Sequence, residues 1–200
     1  MALDARFYNK SQELHASLAT NIIWEAYLFA EAAHGAINHK RKITGEDYIV
    51  HPIEVADVAA RVGLSDETIA AAFLHDTIED TSVSAELVEL LFDGEVARLT
   101  IGMTDLYTDP KIDGNNAERA LKNAHHMWKQ DKDILNLKCA DMYANLRSLD
   151  DADTKEMQKF AKYIIPKMEY KLSGMQNASS HMFDLVADEI KRQKAKFISK

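Results

Sequence analysis

The stretch FLHDTIEDT, Phe73 to Thr81, sets one imidazole and three carboxylates into the six positions His75 to Asp80, directly after the apolar run AAAFL. The run begins near Ser65, where SDET places a hydroxyl cap ahead of acids in the first turn, so the spacing predicts one helix from Ser65 through Asp80. With His75 at 0° on an ideal wheel, Asp76 falls at about 100°, Glu79 at about 40° and Asp80 at about 140°. Ala70, Ala71, Leu74 and Ile78 fall between about 220° and 320°. The four ionisable groups therefore share one side, opposite an apolar stripe. Two explanations fit. Either this is an amphipathic helix with a charged face in water, or the bunched carboxylates are held together by a positive charge such as a divalent metal.

Outward from that stretch, the 3.6-residue period continues almost everywhere. LATNIIWEAYLFAEAAH (Leu18 to His34) carries Ile22, Ile23, Ala26, Tyr27, Ala30 and Ala33 on one stripe. HKRKITGED breaks the pattern as a charged loop, and the helix after HP runs to a stop at Gly63. Ser84 caps SVSAELVELLF, and DGEVARLTIGM follows. YTDPKIDGNN, Tyr107 to Asn116, is the clearest long loop. Helices over AERALKNAHHMW, DILNLKCADMYANLRSL and EMQKFAKYIIPKMEYKL complete the array. The amphipathic tail over 181–198 presents Met182, Leu185, Val186 and Ile190, leaving open whether it packs on the core or builds a homo-oligomer interface. With 7 Gly, 3 Pro and weak strand signals, the fold class is all-α, one domain over 1–200.

Charge and cysteine usage narrow the function. A formal net charge of −8 argues against non-specific nucleic-acid binding, which needs Lys and Arg on phosphates. It leaves room for an anionic small substrate in a locally positive cleft. Cys139, the single cysteine, excludes an internal disulfide and suits a reducing compartment, where it reads as a small packed residue. No basic-then-apolar leader or membrane-length apolar run is present, so a cytoplasmic location with no membrane partner is expected.

A metal near His75 and Asp76 requires ligands from other segments. His51 stands before Pro52 at a helix entrance, where a capping or core histidine is the alternative. Asp141 shares a face with Asn145 and Ser148 at i, i+4 and i+7, where an ion pair with Lys138 or Arg147 is the alternative. His51, His75, Asp76 and Asp141 together make a mixed nitrogen and oxygen set suited to Mn, Fe, Co or Zn. His125 and His126 are helix neighbours about 100° apart, which gives them surface or core roles.

In order along the chain, HKRKITGEDYIVHPIEVADVAA, AAAFLHDTIEDT, TIGMTDL and LNLKCADMYANLRSL resemble the HD-domain hydrolases of the alarmone family. These are the hydrolase domains of Rel and SpoT stringent-response enzymes and their free-standing small relatives. The likeness covers about residues 25–150, and it implies a single HD-domain helical bundle. It also implies one divalent metal, usually Mn²⁺, on His51, His75, Asp76 and Asp141, with Glu79 and Asp80 handling the attacking water. It assigns Arg41 to the guanine base, Lys42 as its basic neighbour, and Lys138, Asn145 and Ser148 to the nucleotide pocket. His39 and Lys40 keep their reading as solvated loop residues.

The departures surround these positions. The family's usual ADRLHN is ADMYAN, with Met142 for arginine and Ala144 for histidine, and TKL is TDL at Thr104 to Leu106. The implied activity is removal of the 3′-pyrophosphate of ppGpp or pppGpp. Another nucleotide or a phosphomonoester is the alternative substrate, and a non-catalytic nucleotide-binding module is the alternative from another class.

Overall fold

The computed structural model describes residues 21–42, 44–151 and 154–198. Leu18 to Thr20 of the first expected helix lie outside them. Every regular element among these residues is helical, apart from one isolated antiparallel bridge between Lys40 and Asp47. They divide into two compact units, 21–41 with 46–101, and 42–45 with 102–198.

In the first unit, α1 (Asn21–Ala36) and α2 (Val50–Arg61) both pack on α3 (Asp66–Leu74). Ser65 caps α3 by accepting from the Thr68 N–H, as the sequence predicts. Every residue from Thr68 to Leu74 is buried. A helix apolar all round must be enclosed on all sides, and Ala70, Ala71 and Ala72 are small enough to admit neighbouring helices closely. Tyr27 meets Phe73 edge-on at 5.6 Å. The short α4 (Thr77–Asp80) also touches α1. Beyond it, α5 (Ala85–Leu91) is capped by Ser84, and α6 (Gly94–Met103) carries the chain out of the unit.

The expected single helix from Ser65 to Asp80 is interrupted. α3 stops at Leu74, and Asp76 sits at φ −98°, ψ −3°, between α3 and α4. That bridge-region conformation, compatible with a turn but not with a regular helix, invalidates the uniform 100° step. The Thr77 hydroxyl donates to the Leu74 carbonyl at 2.7 Å, satisfying a group at the break.

In the second unit, α7 (Asn116–Met127) opens with a reciprocal capping box between Asn115 and Glu118. α8 (Lys132–Arg147) is packed by α9 (Lys155–Ser173) and α10 (Ser180–Phe197), and it runs into a 3₁₀ turn at Ser148–Asp151. The tail helix answers one question left open by the sequence: Met182, Val186 and Ile190 are buried, with α10 lying on α8 and α9. Polar ties fix it. Asn136 Oδ1 accepts from the Ser179 N–H at 2.8 Å, and Gln193 donates to the Leu146 carbonyl at 2.9 Å. Arg192 joins Glu189 to Asp150.

Candidate metal centre and its surroundings

The break after α3 positions the site. His75 is 2% exposed, and its Nδ1 lies 2.8 Å from the Ala72 carbonyl. A carbonyl only accepts, so Nδ1 carries a proton, and in its neutral form His75 presents its lone pair at Nε2. Asp76 Oδ2 stands 3.0 Å from that Nε2 and 3.7 Å from His51 Nε2. His51, in the first turn of α2 and 1% exposed, lies edge-on to His75 with ring centroids 5.2 Å apart. Two imidazole nitrogens and a carboxylate oxygen thus converge within the first unit. A neutral imidazole lone pair and a carboxylate oxygen repel at 3.0 Å unless a proton or cation bonds to both. The same separation suits two donors on one ion at roughly 2.1 Å each.

Of the two acids that the wheel sets on the same side, Asp80 feels the Asp76 charge. Those two acids are exposed. The Asp80 carboxyl is held above its ordinary range by burial first and by the Asp76 charge second, while His39, Tyr48 and His75 pull it back. The charged face in water thus describes Glu79 but not His75, while the exposed Asp80 side chain has its carboxyl partly enclosed.

Tyr48 was not singled out by the sequence. Its hydroxyl donates to Asp76 Oδ2 at 2.6 Å, a short bond of the charge-assisted kind. The only sequence cue is its spacing three residues before His51, across the turn where the His51 N–H meets the Tyr48 carbonyl at 3.0 Å. His39 also departs from the solvated-loop reading, since it is half-buried and stacks on Tyr48 at 3.8 Å and 8°. Lys40 keeps its exposed place in an ion pair with Asp47. The Arg41 guanidinium lies 6.0 Å from the centre of the Tyr48 ring.

In the second unit, α8 assembles three of the remaining residues. The Lys138 ammonium is 2.8 Å from Asp141 Oδ2, and Asn145 Nδ2 donates to Asp141 Oδ1 at 2.6 Å. Asp141 therefore has the ion-pair partner that the alternative reading offered. Ser148 turns back, its hydroxyl donating to the Asn145 carbonyl at 2.8 Å. Lys138, Asp141 and Asn145 line a cavity of about 520 Å³ together with Asp105, Met142 and Tyr170. Lys42, in the same unit, is exposed. His125 contacts the Tyr170 hydroxyl and His126 contacts Gln130, as side chains outside a metal site.

Residues 26–165 match the HD domain family, and the chain belongs to it. It is 34% identical over 145 residues to a probable guanosine-3′,5′-bis(diphosphate) 3′-pyrophosphohydrolase of Synechocystis, covering 70% of this chain and 18% of that protein. It is 38% identical over 140 residues to the guanosine-3′,5′-bis(diphosphate) 3′-pyrophosphohydrolase of Aquifex aeolicus, covering 70% and 19%. The chain thus spans about a fifth of the length of these curated relatives. A solved structure of a metazoan SpoT ortholog, described as hydrolyzing ppGpp with a role in starvation responses, superposes with a TM-score of 0.72. It is 25% identical, and the match covers 88% of this chain and 96% of that one.

The HD family implies a divalent metal, and the residues present fit one. The donors are nitrogen and oxygen atoms suited to a borderline cation. The Ala72 carbonyl fixes the His75 tautomer that leaves Nε2 for coordination, as carbonyls behind metal-binding histidines do. No helix among the described residues is long and apolar enough to cross a membrane.

Proposed function

We propose that this chain, acting as one catalytic domain over 1–200, removes the 3′-pyrophosphate of ppGpp or pppGpp, giving GDP or GTP and pyrophosphate. The observation that carries the reading is the approach of His75 Nε2, His51 Nε2 and the Asp76 carboxylate, with the His75 proton held on the opposite nitrogen. The relatives named for this activity support the substrate.

In this reading His51, His75, Asp76 and Asp141 hold one divalent ion, with Mn²⁺ as first choice. The ion supplies Lewis acidity and brings a water within reach of deprotonation near neutral pH. Asp80, its carboxyl raised by burial, accepts the water's proton, and Glu79 orients the water. Lys138 offsets charge gathering on the phosphate oxygens. Asn145 holds the Asp141 carboxylate in place. Arg41 lays its guanidinium on the purine with Lys42 beside it, and Ser148 lines the nucleotide pocket.

One observation favours a second reading, hydrolysis of a different nucleotide. Met142 is buried and lines the cavity beside Leu121 and Ala124, giving an apolar wall where the family's usual motif has arginine. The deciding assay incubates the protein with ppGpp and Mn²⁺, with and without EDTA, beside Asp76→Ala, and resolves products by ion exchange. GDP and pyrophosphate, lost with EDTA and in the variant, bear out the first reading. Intact ppGpp with cleavage of other nucleotides favours the second. No cleavage of any nucleotide with any metal leaves a non-catalytic nucleotide-binding module.

A further inference from the structure

α1 ends with His34 in its last turn, followed by Asn38 in the left-handed region at φ 51°. The Asn38 N–H bonds the Gly35 carbonyl and the His39 N–H bonds the His34 carbonyl, each at 3.0 Å. This is the paired 5→2 and 6→1 pattern of a Schellman cap, which sets the side chains of its first and last residues side by side. Those positions often make an apolar contact. Here both are histidines, with Nδ1 atoms 3.1 Å apart, a hydrogen-bonded pair in which one ring donates and the other accepts.

The pairing continues toward the site. His39 and Tyr48 face one another across a short antiparallel turn, with the Tyr48 N–H on the His39 carbonyl and the Arg41 N–H on the Glu46 carbonyl. The His39 ring lies flat on Tyr48, and His34 approaches the same phenol at 4.7 Å with a 43° tilt. The far end of that phenol donates to Asp76. His34 is 1% exposed, so this end of the series is anchored in the unit's interior.

We propose that His34 and His39 are positioning residues that clamp the Tyr48 ring and, through its hydroxyl, hold the Asp76 carboxylate in its metal-binding orientation. This rests on the assignment of Asp76 as a metal ligand, and it adds two residues that the family motif does not use as ligands. The clamp is supplied by a helix cap, so the left-handed Asn38 belongs to the same device.

Mn²⁺ affinity, measured by calorimetry without nucleotide, tests the clamp independently of any substrate. His39→Ala is expected to weaken Mn²⁺ binding about three- to tenfold, the size of a lost ring stack. His39→Phe, which keeps a ring on Tyr48, is expected to stay within about twofold of the parent. In a Tyr48→Phe background, His39→Ala is expected to add less than about twofold, because the hydroxyl it serves is already gone. Unchanged affinity in His39→Ala, equal losses with Ala and Phe, or multiplying losses in the double variant would each overturn the clamp. Asp76→Ala separates the two levels. If it loses Mn²⁺ while His39→Ala does not, only the clamp fails. If Asp76→Ala binds as the parent does, the ligand assignment fails and the clamp with it.

Discussion

Removing a single oxygen, in Tyr48→Phe, tests whether the phenol supports the carboxylate proposed to hold the metal or competes for it. The phenyl ring can keep its place on His39 at 3.8 Å, so the change is confined to the hydroxyl, which donates to Asp76 at 2.6 Å and also lowers the Asp80 carboxyl. A hydrogen bond to a charged group contributes about 1.5–3 kcal/mol. If all of that contribution serves to orient Asp76 for the ion, the loss corresponds to a roughly 10- to 100-fold weaker Mn²⁺ complex, the usual range for a group behind a metal ligand. Part of the bond's value is already spent in the metal-free fold, so the lower end is expected. The assay is calorimetric titration with Mn²⁺, with far-ultraviolet circular dichroism and the thermal unfolding midpoint in EDTA to establish that the fold is retained. An unchanged or tighter complex in a variant that keeps its fold would refute the reasoning, since the hydroxyl would then be occupying a lone pair that the ion needs.

Three further outcomes follow from packing and titration. Gly174→Ala places a Cβ 2.1 Å from the Trp128 indole, whose Nε1 donates to the Lys171 carbonyl at 2.7 Å. Overpacking of this kind costs about 2 kcal/mol, so calorimetry should record a Tm lower by about 4–8 °C, and an unchanged Tm would mean that the indole moves freely aside. His34 is held down to about 4, chiefly by burial, with the charges of His39, His75 and His51 adding to it and Asp76 opposing. Its folded pKa lies below the unfolded value near 6.5, so between those values the unfolded chain binds a proton that the folded chain refuses. Its contribution is complete above pH 6.5 and is lost as pH falls toward 4, by up to about 1.4 kcal/mol per pH unit. Urea midpoints in EDTA at pH 7 and pH 5 should therefore differ less in His34→Gln than in the parent, and equal differences would remove His34 from the account. Burial pushes the Cys139 thiol up to about 12. Iodoacetamide at pH 8 should accordingly label it only after denaturant is added, as mass spectrometry would register.

Helix positions were legible in the sequence because caps and periodicity are local. Ser65 and Ser84 accept the expected backbone N–H groups, and Gly63 ends α2 at φ 74°. The break at His75–Asp76 was not legible, because a wheel assumes the uniform backbone whose failure creates the site. Two clues were present in retrospect. Five consecutive small or apolar residues, Ala70 to Leu74, leave no exposed stripe for an ordinary amphipathic helix. Thr77 follows, with a hydroxyl able to take the Leu74 carbonyl that an interrupted helix releases.

Adjacent residues on a regular helix diverge by about 100°, whereas at the break His75 Nε2 and Asp76 Oδ2 stand 3.0 Å apart. In the proposed reading, helical continuity is given up where two neighbouring ligands converge. The Ala72 and Leu74 carbonyls near the break are bonded by the very residues that follow them, His75 and Thr77. The remaining contacts are illegible for a different reason. Tyr48 reaches Asp76 across 28 residues, and His39 reaches Tyr48 across a turn whose partners no period encodes. Motif positions can be read along the chain, but the groups that orient them are set by helix ends, where a single left-handed Asn38 decides which rings meet.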